Sequence, residues 1–143
     1  MRGTARRLLH VARREPHKLR GLARLAWTTK VRSARRLARP GRRAAPPPLV
    51  TINVNRACNL RCVQCWEWGE NGAFTGLTAE ELRGGLSLDE WASFFDQLAR
   101  WRPYVYFFGG EPFLRRDMPE LVAAASERGL LTSVNSNMTL VTG

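Results

Sequence analysis

The sequence predicts an α/β protein: about three parallel strands alternating with helices, preceded by a basic helical arm. Three observations lead there. Charge is segregated, with 15 Lys or Arg against one acid (Glu15) in residues 1–45 and 8 against 11 in residues 46–143, so the net +11 belongs to the arm. Beyond residue 48 the apolar residues alternate between the period of a strand and that of a helix. Finally, an unusual polar segment follows each expected strand, at the carboxyl end where parallel sheets carry their working residues.

In the arm, Thr4 to Arg14 is expected to form a short helix that Pro16 stops or restarts. From His17 to Ala38 the residues Leu19, Leu22, Ala26 and Leu37 recur at helical spacing, and Leu25 and Trp27 widen the stripe. Pro40, Gly41 and Pro46-Pro47-Pro48 make a stiff linker, dividing an arm at 1–45 from a domain at 46–143. Leu49 to Asn55 reads as a strand, with Val50, Ile52 and Val54 on one face and Thr51 and Asn53 on the other. Ser87-Leu88-Asp89-Glu90 is a capping box for a helix whose Leu88, Trp91, Phe95 and Leu98 share a stripe. Tyr104 to Phe108 is a nearly continuous apolar run, as a buried parallel strand requires. Asp117 with Glu120 suggests a second cap, with Met118, Leu121, Val122 and Ala125 facing inward and Gly129 ending the helix. Leu130 to Val134 is the third strand, and no segment repeats.

Cys58, Cys62 and Cys65 are the only cysteines, spaced CxxxCxxC directly after the first strand. Three thiols cannot all pair as disulfides, and their crowding suits a metal site in a reducing compartment. Structural zinc asks for four closed ligands. No fourth cysteine exists, and both histidines, His10 and His17, lie in the arm. Thiolates in one tight loop suit an iron–sulfur cluster better, and three of them leave one iron of a cubane open to a substrate or cofactor. Gly109-Gly110-Glu111-Pro112 after the second strand supports two readings. One is a strand-ending turn with Glu111 solvated. The other is a ligand site whose glycines let the ligand approach the backbone while carbonyls and the Glu111 carboxylate receive an ammonium group. Behind the cysteine loop, the ligand reading is preferred.

These segments, together with Ser136-Asn137-Met138-Thr139-Leu140, resemble the radical S-adenosylmethionine (SAM) enzymes over about residues 49–143. The likeness is greatest to the branch whose members often modify peptides or cofactors and carry extra clusters in a C-terminal extension. The resemblance implies a partial (β/α)6 TIM-like barrel and a [4Fe–4S] cluster held by Cys58, Cys62 and Cys65. It implies SAM on the open iron, its methionyl amino end held by Gly109, Gly110 and Glu111, with Ser136 and Asn137 reaching it from the third strand. It also implies reductive cleavage of SAM to a 5′-deoxyadenosyl radical that abstracts a substrate hydrogen, and an electron donor of the flavodoxin or ferredoxin kind. The substrate itself is not legible.

The sequence departs from the family pattern in three ways. Gln64 stands where the family often has an aromatic residue, which leaves Trp66 and Trp68 either to shield the site or simply to pack the loop. Met138 stands where Gly is usual. About two and a half βα units fall short of six, so the chain is expected to be a fragment, an incomplete reading frame or half of a split system, and inactive by itself.

Three readings of the arm are ranked: a solvated arm packing on further protein, then an amphipathic helix on an anionic membrane surface, then phosphate contact with nucleic acid. No stretch is apolar enough to span a membrane, and Arg and Lys interrupt any secretory core after Met1, so a cytoplasmic location is expected. The start is rich in Arg and poor in acids like a transit peptide, but it is also poor in Ser. A competing reading of the whole chain is a non-catalytic, cluster- or zinc-binding module whose arm docks to membrane, nucleic acid or protein. The Gly-Gly-Glu segment, which a docking module does not need, argues against it.

Overall fold

A computed structural model of the 143-residue chain describes residues 16–32, 34, 35, 38, 46–69 and 71–141. The chain divides into two compact units, 1–48 and 49–143. In the first, helix α1 spans Pro16–Ala26 and passes into a wider π-helical turn, Trp27–Arg32. The stripe predicts one continuous helix here. The change of winding falls on a run, Thr28-Thr29-Lys30-Val31, that is rich in β-branched residue types of low helix propensity. The helix expected over Thr4–Arg14 and the break at Pro40-Gly41 lie outside the described residues.

The second unit runs β1 (Leu49–Asn53), α2 (Ala79–Arg83), α3 (Leu88–Ala99), β2 (Tyr104–Phe108), a 3₁₀ turn (Pro112–Leu114), α4 (Met118–Glu127) and β3 (Leu131–Val134). The sheet order is β1-β2-β3 with both pairs parallel, as the alternation of elements requires. Val50 lies opposite Val105, and Phe107 opposite Val134. The sheet is open: three strands of an α/β layer, the beginning of a barrel and not a closed one.

One face of the sheet carries the core. Ile52, Val54, Val105 and Phe107 meet Trp91, Phe95 and Leu98 of α3 and Met118, Leu121 and Ala125 of α4. Phe95 is fully enclosed, edge-on to Phe107 with ring centres 6.0 Å apart and stacked on Trp91 at 6.0 Å. Truncating such a ring to Ala costs about 3–5 kcal/mol. The other face presents Thr51 and Asn53 beside half-buried Tyr104, Tyr106 and Phe108, the last two stacked.

The capping box of α3 forms as expected: the Glu90 N–H donates to Ser87 Oγ (3.3 Å), and the Ser87 N–H to Glu90 Oε2 (2.8 Å). An unforeseen second box, Thr78 with Glu81, opens α2. The cap expected from Asp117 is absent. Asp117 does precede α4, but its carboxylate makes no cap hydrogen bond. Arg115 two residues earlier holds it in an ion pair at 2.8 Å and keeps its carboxyl below the usual carboxylate range. Gly129 ends α4 at φ 69°, a backbone region where a Cβ is unfavourable.

Candidate functional site

Three polar segments converge beyond the carboxyl ends of the strands. The loop after β1 holds the cysteines as free thiols, Cys58 and Cys65 half-buried and Cys62 exposed. The loop is internally braced. The Cys65 N–H donates to the Cys62 carbonyl (3.0 Å), and the Leu60 N–H points at Cys58 Sγ (3.4 Å). Arg61, between the first two cysteines, donates through Nη1 to the carbonyls of Cys58 (2.8 Å) and Leu60 (2.9 Å). Its guanidinium also lies 4.0 Å above the Trp68 ring. Trp68 is buried, donates from Nε1 to the Arg56 carbonyl (2.9 Å) and meets Phe74 edge-on, so it packs the loop. Trp66 leaves its indole in solvent, 71% exposed.

The residues just before Cys58 are clamped from two sides. The Leu82 carbonyl in α2 accepts from the N–H groups of Arg56 (3.0 Å) and Ala57 (3.2 Å). From the end of β2, Gly110 N–H donates to the Asn55 carbonyl (3.1 Å) and Glu111 N–H to the Ala57 carbonyl (2.8 Å). Asn55 Nδ2 answers by donating to the Glu111 carbonyl (3.0 Å). This closeness explains both glycines. A Cβ on Gly109 would stand 2.4 Å from the Asn55 carbonyl oxygen, and one on Gly110 2.3 Å from that of Ala57. The backbone that approaches them here is that of the cysteine loop itself.

Glu111 is not solvated. Its side chain is 0% exposed, which overturns the solvated-turn reading for a physical reason: three protein donors replace water. Oε1 accepts from the Phe113 N–H (3.0 Å) and Ser136 Oγ (2.8 Å), and Oε2 from the Asn137 N–H (2.8 Å). Asn137 Nδ2 in turn donates to Asn59 Oδ1 (2.9 Å), and Asn59 Nδ2 to Thr139 Oγ1 (2.8 Å). The three strand ends thus close a ring: cysteine loop to Glu111, Glu111 to the β3 loop, and the β3 loop back to the cysteine loop. Met138, on the turn after β3, has φ 62°, the left-handed conformation in which Gly is at home.

Cys58, Cys62, Cys65, Gly109, Gly110, Glu111, Ser136 and Asn137 therefore lie on loops joined in one connected region. Those that sequence reasoning missed are the ties: Asn55, Asn59, Arg61 and Thr139. Glu67 was missed as well. It is almost fully buried, takes a long hydrogen bond from Asn53 Nδ2 (3.5 Å), and burial pushes its carboxyl up. Asn55 Oδ1 is buried with no hydrogen-bond partner.

A family model of the radical SAM superfamily matches residues 52–142, most of the chain. The chain belongs to the radical SAM superfamily. Among curated relatives, an Fe-coproporphyrin III synthase of Methanosarcina barkeri is 39% identical over 95 residues, covering 66% of this chain and 22% of that protein. A PqqA peptide cyclase of Xanthomonas oryzae pv. oryzae is 35% identical over 92 residues, 63% of this chain and 23% of that protein. An AdoMet-dependent heme synthase of Nitratidesulfovibrio vulgaris is 33% identical over 95 residues, 66% of this chain and 24% of that protein. The matched stretch spans less than a quarter of each of these relatives. No solved structure matches the chain.

Membership implies a [4Fe–4S] cluster and SAM, and the donor set fits. Among the described residues, no three His, Cys, Asp or Glu side chains converge on one metal ion. Three free thiols strung along one loop suit a polynuclear cluster, in which each sulfur takes its own iron. A single structural zinc needs four ligands on one centre. Among the described residues no helix is long and apolar enough to cross a membrane.

Proposed function

We propose that residues 49–143 form the cluster- and SAM-anchoring part of a radical SAM enzyme that modifies a peptide or a cofactor. The observation that carries this reading is the cysteine loop itself: three free thiols, with the backbone before them and the Asn59 side chain tied to both neighbouring strand ends. The names of the relatives, a PqqA peptide cyclase, an Fe-coproporphyrin III synthase and a heme synthase, support the substrate class.

In this reading Cys58, Cys62 and Cys65 hold the [4Fe–4S] cluster, and Gly109, Gly110, Glu111, Ser136 and Asn137 border the SAM site. When bound, the two groups supply one-electron radical chemistry, and the protein orients them and excludes water. Arg61 and Trp68 brace the path of the loop that carries the thiols. Glu111 works in two directions: its peptide unit anchors Asn55 and Ala57, while its carboxylate orients Ser136 and the Asn137 amide. The exposed side of the loop at Cys62 offers an approach to an electron donor of the flavodoxin or ferredoxin kind.

The test is anaerobic reconstitution of the chain with iron and sulfide, followed by EPR of the reduced protein with and without SAM. The expected result is a [4Fe–4S] signal that changes on adding SAM and is lost in Cys62→Ala. Stoichiometric zinc without iron would overturn the cluster assignment. A cluster signal blind to SAM would overturn the SAM site.

A further inference from the structure

Glu67 stands two residues after Cys65, on the loop that carries the thiols, and nothing in the proposed cluster chemistry uses it. It is buried almost as deeply as Glu111, 4% exposed against 0%, but its surroundings differ. Glu111 is met by three donors, at 2.8, 2.8 and 3.0 Å. Glu67 is met by one, Asn53 Nδ2, at 3.5 Å from Oε1, and among the described residues no donor reaches Oε2. Arg61, stacked on the adjoining Trp68, spends its Nη1 on the carbonyls of Cys58 and Leu60. A carboxylate accepts about four hydrogen bonds, and withdrawing it from water without them is costly. The position is also fixed. The Glu67 carbonyl accepts from the Phe74 N–H (3.0 Å), and Gly72 packs so closely that a Cβ there would stand 2.4 Å from the same oxygen. The carboxylate meets β1 at Asn53, an exposed residue on the sheet face opposite the core. Asn53 pairs in register with Phe108, and Gly109 follows at once. Glu67 and the Gly109–Glu111 segment therefore belong to neighbouring strand ends, the edge of the sheet at which α/β proteins bind ligands.

We infer that the Glu67 carboxylate receives the ribose hydroxyls of SAM. This rests on the SAM site proposed above, in which the methionyl end of SAM is held at Gly109–Glu111. The O–H donors of SAM are its 2′ and 3′ hydroxyls, a vicinal pair that suits the two oxygens of one carboxylate. An ionised carboxylate is an acceptor only, so a group short of donors and a diol are complementary. Carboxylates read ribose hydroxyls in the same way in dinucleotide sites. Asn53 then acts as the second, weaker partner that keeps Oε1 in place while the ligand supplies the donors that the protein does not. A substrate ammonium would also satisfy Glu67, and the experiment separates the two.

The experiment is anaerobic equilibrium dialysis of the full chain, reconstituted with iron and sulfide and left oxidised so that SAM is not cleaved. The two probes are SAM and its 2′,3′-dideoxy analogue. The parent chain is expected to hold the analogue about tenfold more weakly than SAM. Glu67→Met keeps the bulk and removes the acceptors. It is expected to weaken SAM about tenfold and to leave the affinity for the analogue within about twofold of the parent's. Glu67→Gln keeps one acceptor and should fall between. Circular dichroism and the visible absorption of the cluster check that both variants keep fold and cluster. Equal affinity of the parent for SAM and the analogue overturns the inference without recourse to any variant. An equal loss of both probes in Glu67→Met, the mark of a purely structural role, overturns it as well. So does SAM binding unchanged in Glu67→Met, which would leave the carboxylate to the substrate. A parent that binds neither probe defeats the SAM site itself, and the inference falls with it.

Discussion

A Glu111→Gln substitution changes one atom type in the most enclosed polar group of the site, and its cost can be worked from the geometry. Oε1 has two donors, Phe113 N–H and Ser136 Oγ, and Oε2 has one, the Asn137 N–H. A glutamine in the better orientation keeps its oxygen on the first two and turns its NH₂ toward the Asn137 N–H, donor against donor at 2.8 Å. The loss is one charge-assisted hydrogen bond plus one stranded backbone amide, together about 3 kcal/mol. Glu111→Ala strands three donors and leaves a cavity, for about 5 kcal/mol. Domains of this size have only about 5–15 kcal/mol of stability, so either loss is large. Urea unfolding of the apo chain, followed by tryptophan fluorescence, gives the global figure. Hydrogen exchange at the Asn137 amide gives the local one. The Gln variant should lose about 3 kcal/mol and exchange that amide faster, while central α3 amides follow only the global loss. A Gln variant within about 0.5 kcal/mol of the parent, with Asn137 exchange unchanged, would refute the holding role of the carboxylate.

Three further outcomes follow from the same geometry. Gly110→Ala should cost about 3 kcal/mol or prevent folding, because its Cβ would meet the Ala57 carbonyl at 2.3 Å, whereas Gly76→Ala, with nothing within 4 Å, should be nearly neutral; denaturant midpoints compare the pair. Met138→Gly should stabilise by about 0.5–1 kcal/mol, because relief of the left-handed backbone outweighs the added entropy of the unfolded chain and the exposed side chain contributes little burial; a lower denaturation midpoint would count against it. The carboxyls of Asp117, held by Arg115, and Asp96, held by Arg128, lie below their ordinary range in the folded chain. The unfolded chain therefore takes up protons first on acidification. Their stabilisation is complete above about pH 4 and is lost as pH falls through the folded values. Asp117→Asn should flatten part of that decline in a pH series of unfolding midpoints.

The strands and the α3 cap were legible because their information is local. Alternation over Leu49–Asn55, the apolar run Tyr104–Phe108 and the Ser87–Glu90 box each depend on neighbours within a few residues. Helix α2 was passed over although Thr78-Ala79-Glu80-Glu81 carries the same box, because it buries no residue and so shows no apolar stripe. Asp117 misled for the converse reason: the cap pattern was present, but a charged partner two residues away competes for the carboxylate and wins. At the site, the segments singled out from sequence are brought together by the fold, but the neighbours of some of them were not legible. Gly109 and Gly110 signalled a close backbone approach without saying that the approaching backbone is Asn55–Ala57. Glu111 signalled chemistry without showing that Ser136 and Asn137, 25 and 26 residues later, surround its carboxylate. Glu67, between two tryptophans, gave no sign of its burial.

The ring that ties the strand ends together also sets a schedule. Asn59 closes on Thr139, 80 residues further along the chain. A ribosome adding residues in order delivers that partner on the order of ten seconds after the cysteines have emerged. During this interval Cys58, Cys62 and Cys65 are three adjacent thiols on an unfinished loop, able to cross-link or to take up stray metal. The chain can offer its intended geometry only once β3 and its loop have been made. Protection of the three thiols from oxygen therefore matters most before this stretch of synthesis is complete.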